Sequence, residues 1–112
     1  MKLVTAIVQP HKFDEVKDAL TSAGIHGMTV SEANGYGQQH GHTEVYRGVQ
    51  YLVDLTPKVR IEILTEDDQV EHIAQIITQA AFTGKMGDGK IWVVPIESVI
   101  RVRTGETGVA AL

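Results

Sequence analysis

The order of hydrophobic patterns in this chain predicts an α+β sandwich built from two β-α-β halves. Three observations carry that prediction. The first third runs from an apolar stretch through a helical period to a weak alternation. The same succession returns after Pro57, and a long glycine-broken stretch, Gly35 to Pro57, separates the two. Two split β-α-β halves in one small chain make a ferredoxin-like sandwich, βαββαβ, with both helices on one face of a four-stranded antiparallel sheet.

The first element is Lys2 to Val8, a Val- and Ile-bearing run bounded by Pro10, which reads as a strand buried on both faces. From Phe13 the period becomes helical. Phe13, Val16, Ala19, Leu20 and Ala23 share one side, while Asp14, Glu15, Lys17 and Asp18 take the other. Asp14 and Glu15 suit the first turn, where the helix dipole favours anions, and Gly24 supplies the stop. Met28 to Ala33 alternates weakly and predicts a second strand.

In the second half, Lys58 to Ile63 alternates strictly. Val59, Ile61 and Ile63 face one way, and Lys58, Arg60 and Glu62 the other, on the face the helices leave uncovered. Thr65-Glu66-Asp67-Asp68 has the form of a capping box, and Val70, Ile73, Ala74, Ile77, Ala80 and Ala81 follow at helical spacing. A glycine-rich turn, Gly84 to Gly89, leads into the strand Ile91-Trp92-Val93-Val94. Ile100 to Arg103 alternates again and is expected to be extended.

Length and composition bound the function. At 112 residues this is one domain with a thin core, so partial burial of the uncovered sheet face between subunits is expected. A net charge of −4 argues against a general nucleic-acid binder, which needs a basic surface. The absence of cysteine excludes disulfides, thiolate metal sites and thiol catalysis. Gln9-Pro10-His11-Lys12 interrupts the apolar start too early for a signal peptide, and no apolar run reaches membrane-spanning length. A soluble, cytoplasmic protein is the expectation.

Gly35 to Pro57 is too long for an ordinary connection and too rich in Tyr36, Tyr46, Tyr51 and Arg47 for a solvated spacer. It reads either as a mobile arm that touches a partner or ligand, or as an extended β-hairpin that packs. His40, His42 and Glu44 have ligand chemistry, but no third histidine is near in sequence and a loop offers no supporting shell. His11, His26 and His72 are isolated. No nucleophile-base-acid order or catalytic carboxylate pair stands out, so the chain is not expected to be an enzyme.

The most specific stretch is Thr83-Gly84-Lys85-Met86-Gly87-Asp88-Gly89-Lys90-Ile91-Trp92. It nearly meets the P-loop pattern but ends in Ile91 where Ser or Thr is needed, and it runs into a strand where a P-loop opens a helix. What remains is the physics of an anion cradle: glycines allow main-chain N–H groups to turn inward, and Lys90 adds positive charge. Arg101 and Arg103, two apart on an extended segment, would point the same way and suit phosphate. Taken alone, they would read as snorkelling arginines on a solvated edge.

Along essentially its whole length the chain resembles the PII nitrogen-regulatory signal-transduction proteins. The resemblance rests on Lys2 to Pro10, Gly27 to Val30, Gly41 to Glu44, Tyr46-Arg47-Gly48, Pro57-Lys58-Val59, Thr83 to Val93 and Arg101 to Glu106. It implies one domain over 1–112 that assembles as a homotrimer, with ATP or ADP bound between subunits. The family's T-loop corresponds to about 37–55, its B-loop to 82–90 and its C-loop to 101–108. Carried over, Gly87, Gly89 and Lys90 bind the nucleotide's phosphates from one side and Arg101 and Arg103 from the other, with Asp88 also among the nucleotide-binding positions. Thr29, Gly37, Gln38, Glu62 and Leu64 complete the nucleotide-binding set. Gln39, Gly41 and Lys58 correspond to 2-oxoglutarate-binding positions, and Gln39 to the one that helps hold Mg2+. Tyr51 matches a nucleotidylation site, the substrate of a nucleotidyltransferase. Partners implied are an ammonium channel, which would bring the protein to a membrane, and nitrogen-assimilation enzymes or regulators.

The chain also departs from the family. Gln9 stands for a basic residue, His11 for Phe, Gln38 for Arg and His40 for Lys, and Val49-Gln50 precede Tyr51 in place of the usual modification motif. Loss of charge at 9, 38 and 40 predicts weaker binding of the terminal phosphate and of 2-oxoglutarate. The competing reading, which these losses favour, is a relative that shares the fold but senses a different small anion or a metal ion. A slow ATPase is a third, for which no residue supplies an obvious base.

Overall fold

In a computed structural model, the first strand, β1 (Lys2–Val8), leads through a 3-10 turn at Pro10–Lys12 into α1 (Phe13–Ser22). Then come β2 (Thr29–Gly35), β3 (His42–Tyr46), β4 (Val49–Val53), β5 (Thr56–Thr65), α2 (Val70–Ala81) and β6 (Lys90–Pro95). The structure describes residues 1–36, 42–46, 49–53 and 55–112, with the side chains of 42–46 and 49–53 outside that description.

The main sheet has the order β2-β5-β1-β6, and every neighbouring pair is antiparallel. Each half therefore inserts a strand of the other between its own two, which is the split β-α-β arrangement of a ferredoxin-like sandwich. β3 and β4 form a separate antiparallel pair, His42 opposite Val53 and Tyr46 opposite Val49. The backbone of the long connection thus includes a hairpin.

The core lies between the sheet and the helices. Val4, Ala6 and Val8 of β1 and Ile61 and Ile63 of β5 meet Val16 and Leu20 of α1 and Ile73, Ile77 and Ala81 of α2. These are the positions that period 2 and period 3.6 select. On the other face of β1 only Thr5 is fully covered, while Leu3 and Ile7 are half-buried. Gly24 ends α1 at φ +90, its N–H donating to Thr21 and that of Ile25 to Leu20, a Schellman motif.

Two local expectations are corrected. Thr65 does not cap α2. It is the last residue of β5, a 3-10 turn at Asp67–Gln69 precedes α2, and no side chain caps either helix. Asp67 instead accepts a hydrogen bond from the N-terminal ammonium at 2.8 Å, because β1 begins beside this turn. Ile100 to Arg103 is not a strand. Ile100 makes a single bridge to Thr107, and the chain turns back through 102–104, with the Gly105 N–H donating to Arg101. On the sheet face the helices leave uncovered, Lys58 is 7% exposed already within one chain, beside exposed Arg60 and half-buried Glu62.

Candidate functional site

The glycine-rich turn joins the end of α2 to the start of β6, where two rigid elements fix its ends. Phe82 leaves the helix in extended conformation. Gly87 and Gly89 then adopt φ +98 and +107, values that L side chains rarely tolerate. At Gly89 the requirement is also spatial. A Cβ there would lie 1.7 Å from the carbonyl oxygen of Ile7, so β1 and the turn meet backbone to backbone.

Within the turn, Asp88 is the organising acid. Its Oδ2 accepts the main-chain N–H of Thr83 at 2.8 Å and of Gly84 at 2.9 Å, and its Oδ1 accepts the Thr83 hydroxyl. Thr83 Oγ1 in turn accepts the N–H of Lys85 at 3.2 Å. These donors, the Thr83 hydroxyl foremost, hold the Asp88 carboxyl below the usual carboxylate range. Among the described residues, the N–H groups of Met86 and Gly87 have no acceptor. The tip of the turn therefore offers main-chain donors.

Lys58 reaches the same turn from β5. Its ammonium donates to the carbonyl of Gly87 at 2.6 Å and to Gln9 Oε1 at 3.2 Å. Continuing the β1–β5 register one step past Val8 and Val59 places Gln9 opposite Lys58, which explains the second bond. Burial pushes the Lys58 ammonium below the ordinary lysine value, and the Asp88 carboxylate opposes that shift. Lys58, Gly87 and Lys90 line a cleft of about 550 Å³ with Gly35, Tyr36 and Trp92. Two ammonium groups and main-chain N–H groups without an acceptor among the described residues give this cleft the chemistry to take an anion.

The structure brings some predicted site residues together and leaves others apart. Gly87, Gly89, Lys90 and Lys58 share the cleft. Thr29 and Glu62 are cross-strand partners on the uncovered face, and Leu64 follows two residues along β5. Those three lie further along the sheet, since Lys90 is level with Ile7 and Arg60 while Leu64 is level with Leu3 and Val94. Leu64 is thus four residues, about 13 Å, along from the level of Lys90, and Glu62 with Thr29 two residues, about 7 Å. Arg101 donates to Glu106 at 3.0 Å and to the Leu112 carbonyl at 2.9 Å, and exposed Arg103 lies in the turn that follows, so the shared extended face expected of the pair is absent. Gly37, Gln38, Gln39, His40 and Gly41 lie outside the described residues, as does the Tyr51 side chain.

In the cleft wall, Tyr36 was read from sequence only as a contact group of the long stretch, and Trp92 was not singled out as a site residue. Trp92 carries no local signal beyond its place in a strand. The inward role of Asp88 was missed too, although a threonine and an aspartate flanking a glycine turn have the chemistry of a local side-chain-to-main-chain ring.

Residues 1–106 match the family model described as nitrogen regulatory protein P-II. The chain is 57% identical over 108 residues to a nitrogen regulatory protein P-II of Azospirillum brasilense, covering 96% of both chains. It is 56% identical to one of Mesorhizobium japonicum and 52% identical to the nitrogen regulatory protein GlnK of Escherichia coli K12, each over 112 residues and the full length of both.

Proposed function

The chain belongs to the nitrogen regulatory protein P-II family, and from that premise we propose that it senses ATP or ADP together with 2-oxoglutarate and passes the result to target proteins. Its relatives are named as regulatory proteins, and a role in nitrogen regulation follows from the family. Among the described residues no helix is long and apolar enough to cross a membrane.

The observation that carries the finer reading is the cleft that joins Lys58 to the glycine turn. In this reading the donors of the turn and Lys90 receive the phosphates. Lys58, six residues along β5 from Leu64, receives a carboxylate of 2-oxoglutarate. As the family resemblance implies, Mg2+ would be held by oxygens of the ligands and by Gln39. When bound, the ion would neutralise the triphosphate. Thr29, Glu62 and Leu64, further along the same sheet, suit the nucleoside, and the family resemblance implies that a neighbouring copy in a homotrimer completes the site and supplies Arg101 and Arg103. The segment 37–55, with the β3–β4 hairpin and Tyr51, is the docking and modification arm for a channel, enzyme or regulator. A single ligand that binds better to one arrangement of the arm's base shifts the population its partners meet.

Calorimetric titration of 2-oxoglutarate, with and without Mg-ATP, tests this. Binding that requires Mg-ATP and is lost in Lys58→Met supports it. Tight ATP binding with no response to 2-oxoglutarate would replace it with a sensor of nucleotide alone or of another anion, the reading that Gln9 in place of a basic residue favours.

A further inference from the structure

Asp88 stands between the two glycines assigned to the phosphates, where a carboxylate would repel an anion. Its geometry gives it different work. Both oxygens are engaged inward, by the N–H groups of Thr83 and Gly84 and by the Thr83 hydroxyl. The hydroxyl relays the arrangement one residue further by accepting from Lys85. Three consecutive main-chain donors are thus committed to the Asp88–Thr83 pair, while those of Met86 and Gly87, next in line, have no acceptor among the described residues. From outside, Lys58 fixes the carbonyl of Gly87, so the tip is held from two directions.

We propose that Asp88 is a positioning residue that contacts no ligand: with Thr83 it closes the segment Thr83–Asp88 into a ring that keeps the donors of its tip available to a phosphate group. The proposal rests on the phosphate reading of the turn. Its consequence is a sign. If Asp88 faced the ligand, neutralising it would relieve repulsion and tighten binding of a polyanion. Because it shapes the cradle, neutralising it weakens binding.

The experiment is calorimetric titration of metal-free ATP into the full chain, for wild type, Asp88→Asn, Thr83→Val, Thr83→Ser and the Asp88→Asn/Thr83→Val double variant. Metal-free ATP keeps any ion chemistry out of the comparison. Asp88→Asn is expected to weaken binding about tenfold, the size of one lost hydrogen bond to a charged group. Thr83→Val, which changes no charge, should weaken it to a similar degree, and Thr83→Ser should restore it. The double variant should lose little more than either single one, as members of one network do. Tighter binding in Asp88→Asn, or an unaffected Thr83→Val, overturns the proposal. Amide exchange provides a readout without ligand: the Thr83 and Gly84 N–H groups should exchange about tenfold or more faster in Asp88→Asn while β1 is unchanged. Unchanged exchange at those two positions also overturns it. A wild type that binds no ATP would defeat the proposed function instead, and the exchange arm would still decide whether Asp88 holds the ring.

Discussion

Replacing Gly89 by alanine tests how the turn is anchored, because the cost can be worked from the structure. The new Cβ would sit 1.7 Å from the Ile7 oxygen and 2.8 Å from the Ile7 carbonyl carbon, both main-chain atoms. To reach even about 3.0 Å from that oxygen, the turn and β1 must part by about 1.3 Å. Lys90 pairs with Ile7 and Ile91 with Ala6, so this movement opens the end of the β1–β6 ladder. One or two lost ladder hydrogen bonds cost about 1 kcal/mol each. Holding a non-glycine residue at φ +107 adds about 1–3 kcal/mol. The sum, about 2–5 kcal/mol, is a large share of the roughly 5–15 kcal/mol that stabilises a typical domain. Gly105→Ala is the control: its φ is +73, but an added Cβ meets nothing within 4 Å, so only strain of about 1–2 kcal/mol applies. Urea unfolding followed by circular dichroism, at one fixed protein concentration, measures both. Equal losses in the two variants would refute the close-approach argument.

The remaining predictions concern charge and packing. Lys58→Met should abolish 2-oxoglutarate binding in the presence of Mg-ATP while leaving thermal stability near wild type, since burial already disfavours the ammonium; a large fall in stability would show that the bonds to Gly87 and Gln9 hold the fold. Gln9→Lys exchanges an acceptor 3.2 Å from the Lys58 ammonium for a like charge, so the ligand-free protein should lose about 1 kcal/mol and 2-oxoglutarate should bind more tightly; unaltered affinity would deny residue 9 any part in the site. The Asp67 carboxyl is held below its ordinary value of 3.8 by the hydrogen bond from the N-terminal ammonium and by Lys2. That contribution is fully present above 3.8 and fades as pH falls through the lower folded value, so the stability gap between wild type and Asp67→Asn should be constant near neutrality and close in acid; a gap that widens in acid contradicts it. Leu20→Ala, at a fully buried position between helix and sheet, should cost about 2–5 kcal/mol in the same urea assay, and a loss under 1 kcal/mol would mean the core is elsewhere.

The sequence alone determined what depends on neighbours along the chain. Periods of 2 and 3.6 marked Val59, Ile61 and Ile63, and Val16 and Leu20, as core, and Gly24 as a helix stop, because those features arise within a few residues of one another. The glycine-rich turn between α2 and β6 was legible for the same reason, its glycines taking the positive φ that other residues avoid. Ile100 to Arg103 misled because alternation specifies a strand only when a neighbouring strand is there to pair, and here a single bridge to Thr107 is all that forms. Likewise Thr65 to Asp68 has the letters of a capping box, but β5 runs through Thr65 and the N-terminal ammonium claims Asp67. Tertiary structure decided who meets whom across the chain. Lys58 looks like any solvated lysine on an alternating strand, yet sheet register sets it against Gln9, 49 residues away, and the turn's descent from α2 brings Gly87, 29 residues away, onto its ammonium. No local pattern encodes those separations; they are fixed only when two split halves interleave into one sheet and β1 meets Gly89 with no room for a side chain.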